Sequence, residues 1–164
     1  DYVFIGYSDN CDFNKFQVSR TNKKALDFFS SFFPSKHIVG FDLKKSDNIS
    51  LQNCLHLDCC FQPLGLGHVI VYEDGFKDKS DLQLIGQIFG EKNVILISRE
   101  EMSSMFSNIF SISRDVVVSE KQFSRLNNLL KNKGYCVEEV PFSEISKMGG
   151  LLRCTTLPLI RHYD

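Results

Sequence analysis

Apolar positions along the chain fall into short clusters separated by polar turns, and the period within each cluster predicts its element. Tyr2–Ile5 is an apolar run halted by Gly6, as a buried strand is. A polar loop runs from Tyr7 to Gln17, and Thr21 or Asn22 is placed to cap a helix from about Lys23 to Phe33 that Pro34 closes. Phe28-Phe29 and Phe32-Phe33 recur in it at helical spacing, which predicts that they face the core. His37–Phe41 reads as a strand, and Lys44–Ser50 as a polar turn. Leu51–Phe61 reads as an apolar, cysteine-rich strand; the Pro/Gly turn Gln62–Gly67 joins it to a strand at His68–Tyr72, predicting a hairpin. Asp78 or Ser80 opens a short helix over Asp81–Phe89 that Gly90 ends, and Asn93–Ser98 is a buried strand. Glu100–Phe106 is a short helix or turn, and Ser107–Ile112 pairs with Val116–Val118 in a second hairpin. The helix Lys121–Lys133 carries Phe123, Leu126, Leu129 and Leu130 on one stripe and ends at Gly134; Tyr135–Val140 returns as a strand closed by Pro141.

The order strand, strand, helix, strand therefore recurs, most plainly over His68–Val140. That predicts an α/β chain of small repeated units rather than one alternating doubly wound sheet. At 164 residues the chain can bury a proper core within one domain.

Composition narrows the partners. Lys and Arg total 19 against 20 Asp and Glu, so there is no electrostatic case for nucleic acid or an anionic membrane surface. No apolar run approaches the roughly 18–20 residues of a membrane span. Six cysteines stand at positions 11, 54, 59, 60, 136 and 154. Their even number permits a disulfide framework, but a chain of this length and hydrophobicity needs no staples, and no secretory signal is expected. The expectation is a reduced, soluble, cytoplasmic protein. Asp1 lacks an initiator Met and leads straight into a strand, which suggests a cut from something longer or processing.

The richest chemistry lies at Lys147–Leu159. Gly149-Gly150 frees the backbone for a positive φ or a close approach. Arg153 flanks Cys154, an arrangement that favours the thiolate, the attacking form of cysteine. The base such a nucleophile needs is assigned to His56. His56 and Asp58 are two apart, so in a strand they share one face, with Leu55 and Leu57 on the other. Alone, His-x-Asp is a weak signal. Cys59 and Cys60 near His56 and His68 raise zinc, but the spacing fits no usual ligand pair, so no metal is expected. Cys54, Cys59, Cys60 and Cys136 read as packed, inert thiols. Ser19-Arg20-Thr21-Asn22 is a helix cap beside either a solvated arginine or one that binds a carboxylate bidentately.

Three separated motifs carry a family resemblance: Ser19–Asn22, Leu55-His56-Leu57-Asp58-Cys59-Cys60-Phe61-Gln62-Pro63-Leu64-Gly65, and Gly149-Gly150-Leu151-Leu152-Arg153-Cys154-Thr155-Thr156-Leu157-Pro158-Leu159. In this order they resemble the guanidino-modifying enzymes: arginine deiminases, dimethylarginine hydrolases, glycine amidinotransferases and citrulline-using hydrolases. The resemblance implies a pentein-like α/β propeller of ββαβ units. Residues 1–164 would be a single C-terminal portion of it, about three of five blades. It implies that Cys154 attacks the guanidinium carbon, that His56 acts as acid and then base, that Asp58 holds guanidinium nitrogens, and that Arg20 grips the substrate α-carboxylate. No cofactor and no metal are implied. Leu57-Asp58 after His56 resembles deiminases and citrulline-type hydrolases more than dimethylarginine hydrolases.

Two departures stand out. The family's first half, with a further acidic substrate-binding residue and a Glu-Gly-Gly-Asp segment, is absent, and Asp1 matches the last residue of that segment. Asp9–Val18 resembles an insertion near the site. The favoured activity is hydrolysis of a non-peptide C–N bond in a guanidino or ureido amino acid, with the missing half or another chain closing the propeller. Amidino transfer to an acceptor amine is an alternative, because water and an amine attack the same intermediate. A catalytically silent fragment that serves as a binding partner is another. A cysteine peptidase would give no joint role to Arg20 and Asp58.

Overall fold

The turn from Pro63 to Gly67 closes a hairpin: Gly67 takes φ 87°, the left-handed conformation glycine allows, and the flanking strands β3 (Phe61–Pro63) and β4 (Val69–Val71) pair antiparallel, Phe61 opposite Val71. The computed structural model in which this is seen describes residues 2–9, 21–46, 48–49 and 52–160. Arg20, with nearly all of the 9–18 loop, lies outside the described residues.

Numbered along the chain, the remaining strands are β1 (Tyr2–Tyr7), β2 (His37–Asp42), β5 (Val94–Leu96), β6 (Phe110–Ser111), β7 (Val116–Glu120) and β8 (Cys136–Val140). The helices are α1 (Lys24–Phe32), α2 (Ser80–Phe89), α3 (Arg99–Ser103), α4 (Ser124–Asn132) and α5 (Ser143–Ser146). They make three sheets. In the second unit β3 lies antiparallel to β4, and β4 parallel to β5 across α2; in the third, β6 lies antiparallel to β7, and β7 parallel to β8 across α4. Both are ββαβ units, as the sequence order predicts. The first unit has the parallel pair β1–β2 across α1, in register from Tyr2 opposite His37 to Tyr7 opposite Asp42. Among the described residues β1 has no antiparallel neighbour.

The core draws on strands, helices and the segments that connect them. Phe4, Phe41, Phe61 and Phe76 interlock, with Phe41 and Phe76 edge to face at 5.2 Å and Phe4 and Phe61 at 4.9 Å, joining the first two units. The stripe on α4 is as expected, with Leu126 and Leu130 fully buried. The expectation fails for α1. No residue of that helix is buried, and Phe28 and Phe32 are 62% and 65% exposed. Their spacing stacks them on each other at 5.9 Å, as it does Phe29 on Phe33 at 6.1 Å, but helical period fixes which side chains share a face and not what covers it. Cys136, expected to be packed, is exposed on β8.

Gly65 shows how units two and three meet. A Cβ there would lie 2.2 Å from the Arg114 carbonyl oxygen and 2.5 Å from its Cα, so backbone would have to move. Beside it, Tyr135 Oη takes a hydrogen bond from the Leu66 N–H and lies 3.0 Å from His68 Nδ1. Gly65→Ala is expected to cost about 3 kcal/mol and lower the thermal midpoint by roughly 6–12 °C, as differential scanning calorimetry will show. A variant as stable as the parent would mean that this junction is loose.

Candidate active site

Of the segment read as a strand over Leu51–Phe61, residues 52–60 form no strand. His56 is extended (φ −128°, ψ 166°) and leads into a single 3-10 turn, Leu57–Cys59, before β3 begins. Local closure won over alternation: the Cys59 N–H bonds to the His56 carbonyl at 3.1 Å and the Cys60 N–H to that of Leu57 at 3.0 Å. His56 and Asp58 therefore come to one cavity through the turn and not through strand alternation. The turn is held from outside. Ser107 Oγ lies 2.8 Å from the carbonyl oxygens of both Asp58 and Cys59, and Lys45 Nζ donates to the Leu55 carbonyl.

The neighbouring thiols are poor nucleophiles. Burial pushes the Cys59 thiol up to about 11, and burial together with its partner Cys54 raises Cys60 as well. Burial also pulls the Lys45 ammonium below the usual lysine range. Cys54, Cys59, Cys60, Cys136 and Cys154 all stand as free thiols.

Cys154 sits in a different setting. Gly149 has φ 85° and turns the chain, and Gly150 lets Cys154 approach: a Cβ at 150 would be 3.0 Å from the Cys154 Cβ. Both uses read from the Gly-Gly pair are thus realised. Leu151 and Leu152 are buried and anchor the loop, while the Thr155 N–H and hydroxyl both bond back to the Leu151 carbonyl, at 3.1 and 3.0 Å. The result presents Cys154 Sγ at an exposed position 3.6 Å from Asp58 Oδ2.

Asn108 joins the two. Its Nδ2 donates to Asp58 Oδ2 at 2.9 Å and to Cys154 Sγ at 3.1 Å, and its Oδ1 accepts from the N–H groups of Leu151 and Cys154 at 3.1 and 3.3 Å. Sequence reading passed over it as one arm of a hairpin. The available signal was a polar Ser107-Asn108 pair set between Phe106 and Ile109-Phe110, where a strand arm has no use for two adjacent polar groups.

A cavity of about 430 Å³ opens beside these groups, with Tyr7, Thr21, Lys45, His56, Asp58 and Arg153 among its lining. Asp58 Oδ1 is buried and has no hydrogen-bond partner among the described residues. Such an oxygen is costly unless something with N–H groups meets it. Among the described residues no three His, Cys, Asp or Glu side chains gather as a metal site would require, and no helix is long and apolar enough to cross a membrane.

Small ββαβ sheets, a matching family model and the folds of solved relatives place the chain in the guanidino-modifying superfamily. The family model described as N,N dimethylarginine dimethylhydrolase, eukaryotic, matches residues 14–161, and the chain belongs to that family. The chain is 27% identical to the uncharacterized protein YkgA of Bacillus subtilis, an alignment covering 98% of this chain and 49% of the relative. It is 30% identical to the bifunctional arginine dihydrolase/ornithine cyclodeaminase AgrE of Nostoc, covering 62% of this chain and 14% of that one. The N-terminal domain of the cyanobacterial arginine dihydrolase ArgZ, bound to product, superimposes with a TM-score of 0.75 at 21% identity, covering 95% of this chain and 50% of that one. SxtG, an amidinotransferase from Microseira wollei, does so with a TM-score of 0.69 at 15% identity over 98% of this chain and 45% of that one. These likenesses establish the propeller fold, of which the described residues form three units. The chain spans about half the length of YkgA.

Proposed function

We propose that the protein hydrolyses a C–N bond of a guanidino or ureido amino acid through a covalent bond to Cys154. The observation that carries this reading is the Asp58 carboxylate. One of its oxygens faces Cys154 at 3.6 Å, and the other is buried without a partner beside the cavity. A planar cation with several N–H groups satisfies that second oxygen and brings its carbon to the sulfur.

In the reaction, the thiol proton passes to His56 and the thiolate attacks the guanidinium carbon, forming a C–S bond. The C–N bond to the departing amine then breaks, and the His56 imidazolium gives that amine its proton. Neutral His56 next takes a proton from water, whose oxygen attacks the thioether carbon. Cleavage of the C–S bond returns the electron pair to sulfur, and the proton on His56 restores the thiol. An amine in place of water gives amidino transfer instead. Arg20, adjacent in sequence to cavity-lining Thr21, takes the substrate carboxylate.

We further assign a complementary half of the propeller as partner. Three features support it: the edge of β1 left unpaired among the described residues, the exposed Phe28 and Phe32, and the exposed Leu157, Leu159 and Ile160. A strand antiparallel to β1 would give the first unit the order of the other two.

The test is to incubate the full-length native protein with arginine, methylated arginines and citrulline, quench in acid, and weigh the peptide carrying Cys154. An added amidino or carbamoyl mass on that peptide is expected, together with release of amine. Absence of any adduct, with every substrate unchanged, would sink the reading.

A further inference from the structure

Asn108 is 3% exposed and uses its whole side chain. A primary amide offers two N–H donors and two carbonyl lone pairs. Here Oδ1 takes both loop N–H groups, of Leu151 and Cys154, and Nδ2 gives one bond to Asp58 Oδ2 and one to Cys154 Sγ. Its backbone carbonyl also accepts the Arg153 N–H at 3.2 Å. The partners fix which way the amide faces: two N–H groups lie on one side, a carboxylate and a sulfur on the other.

These two halves do different work. The Oδ1 half shapes the loop, as many buried amides do. The Nδ2 half has no such need, because it points at two groups that both carry negative charge in the attacking state, only 3.6 Å apart. Two anions at that separation repel, and N–H donors shared between them offset the repulsion. We infer that Asn108 is the positioning residue for the nucleophile: its amide donates to both groups and holds the Cys154 sulfur beside the Asp58 carboxylate.

The inference rests on the proposed function only in taking Cys154 as the reacting atom, and its test needs no substrate. Asn108→Asp keeps two acceptor oxygens for the Leu151 and Cys154 N–H groups and removes the donors. Alkylation by iodoacetamide at neutral pH, followed by mass spectrometry of the Cys154 peptide, is expected to slow at least about tenfold, the size of a charge-assisted hydrogen bond. Exposed Cys136 serves as the internal control, and its rate stays unchanged.

The exchanged pair Asn108→Asp with Asp58→Asn restores one amide facing one carboxylate. Alkylation of Cys154 is then expected to return to within about threefold of the parent rate. That variant also decides the matter if Asn108→Asp alone fails to fold, since it carries the parent's charge. Unchanged Cys154 alkylation in folded Asn108→Asp, or an exchanged pair as slow as a donor-free site, overturns the inference and leaves Asn108 as a loop brace. Covalent adducts with substrate would still stand or fall separately.

Discussion

Cys154→Ser is expected to reduce turnover of the guanidino substrate by about four orders of magnitude, leaving only what binding and orientation supply. The change is nearly isosteric, so the bond from the Arg153 N–H to the Asn108 backbone carbonyl and the anchoring of Leu151 remain, and the fold is preserved. What goes is nucleophilicity, because a hydroxyl beside a carboxylate ionises far less readily than a thiol. Steady-state release of amine, measured beside the thermal midpoint, checks this. A serine variant retaining a tenth of the parent rate, with no thioether adduct in the parent, would show that chemistry proceeds without Cys154.

Asp58→Asn is expected to lower kcat/KM roughly a hundredfold or more, the loss that follows when one partner of a buried, hydrogen-bonded charge pair is removed. The amide can still accept the Asn108 Nδ2 bond, but its other end no longer offers a charged oxygen to a guanidinium. Neutral ureido substrates, which bring no positive charge, should suffer less than guanidinium ones. Alkylation of Cys154 by neutral iodoacetamide should not slow, since a negative neighbour has been taken away. Equal losses for charged and uncharged substrates would remove Asp58 from the role of cation clamp.

Much of the architecture was legible because it depends on local rules. The turn closed by Gly67, the stripe on α4 and the stop at Gly134 each follow from residue type at a fixed spacing; the turn is tighter than expected, because Gln62 and Pro63 belong to β3. The repeat of strand, strand, helix, strand needed only those pieces in sequence. The failures have a common physical cause. Whether Phe28 and Phe32 are covered, whether Cys136 is packed, and whether Leu51–Phe61 extends or turns are all decided by neighbours distant in sequence. His56 and Asp58 were paired through a geometry they do not have, yet a 3-10 turn still delivers both to one cavity. Asn108 was missed because nothing near it in the chain distinguishes it. Its meaning lies in Asp58, fifty residues before it, and Cys154, forty-six after.

That separation bears on when the protein becomes reactive. Asp58 and Cys154 stand 96 residues apart, with the second and third units between them. Contacts of such long span form late, after the two intervening sheets have condensed and the loop-closure entropy has been met. A nascent or partly folded chain thus carries an ordinary thiol at position 154, with neither the amide nor the carboxylate beside it. On the proposed function, chemical competence is therefore a property of the finished topology: the Cys154 thiol meets its neighbours only once there is a cavity beside them.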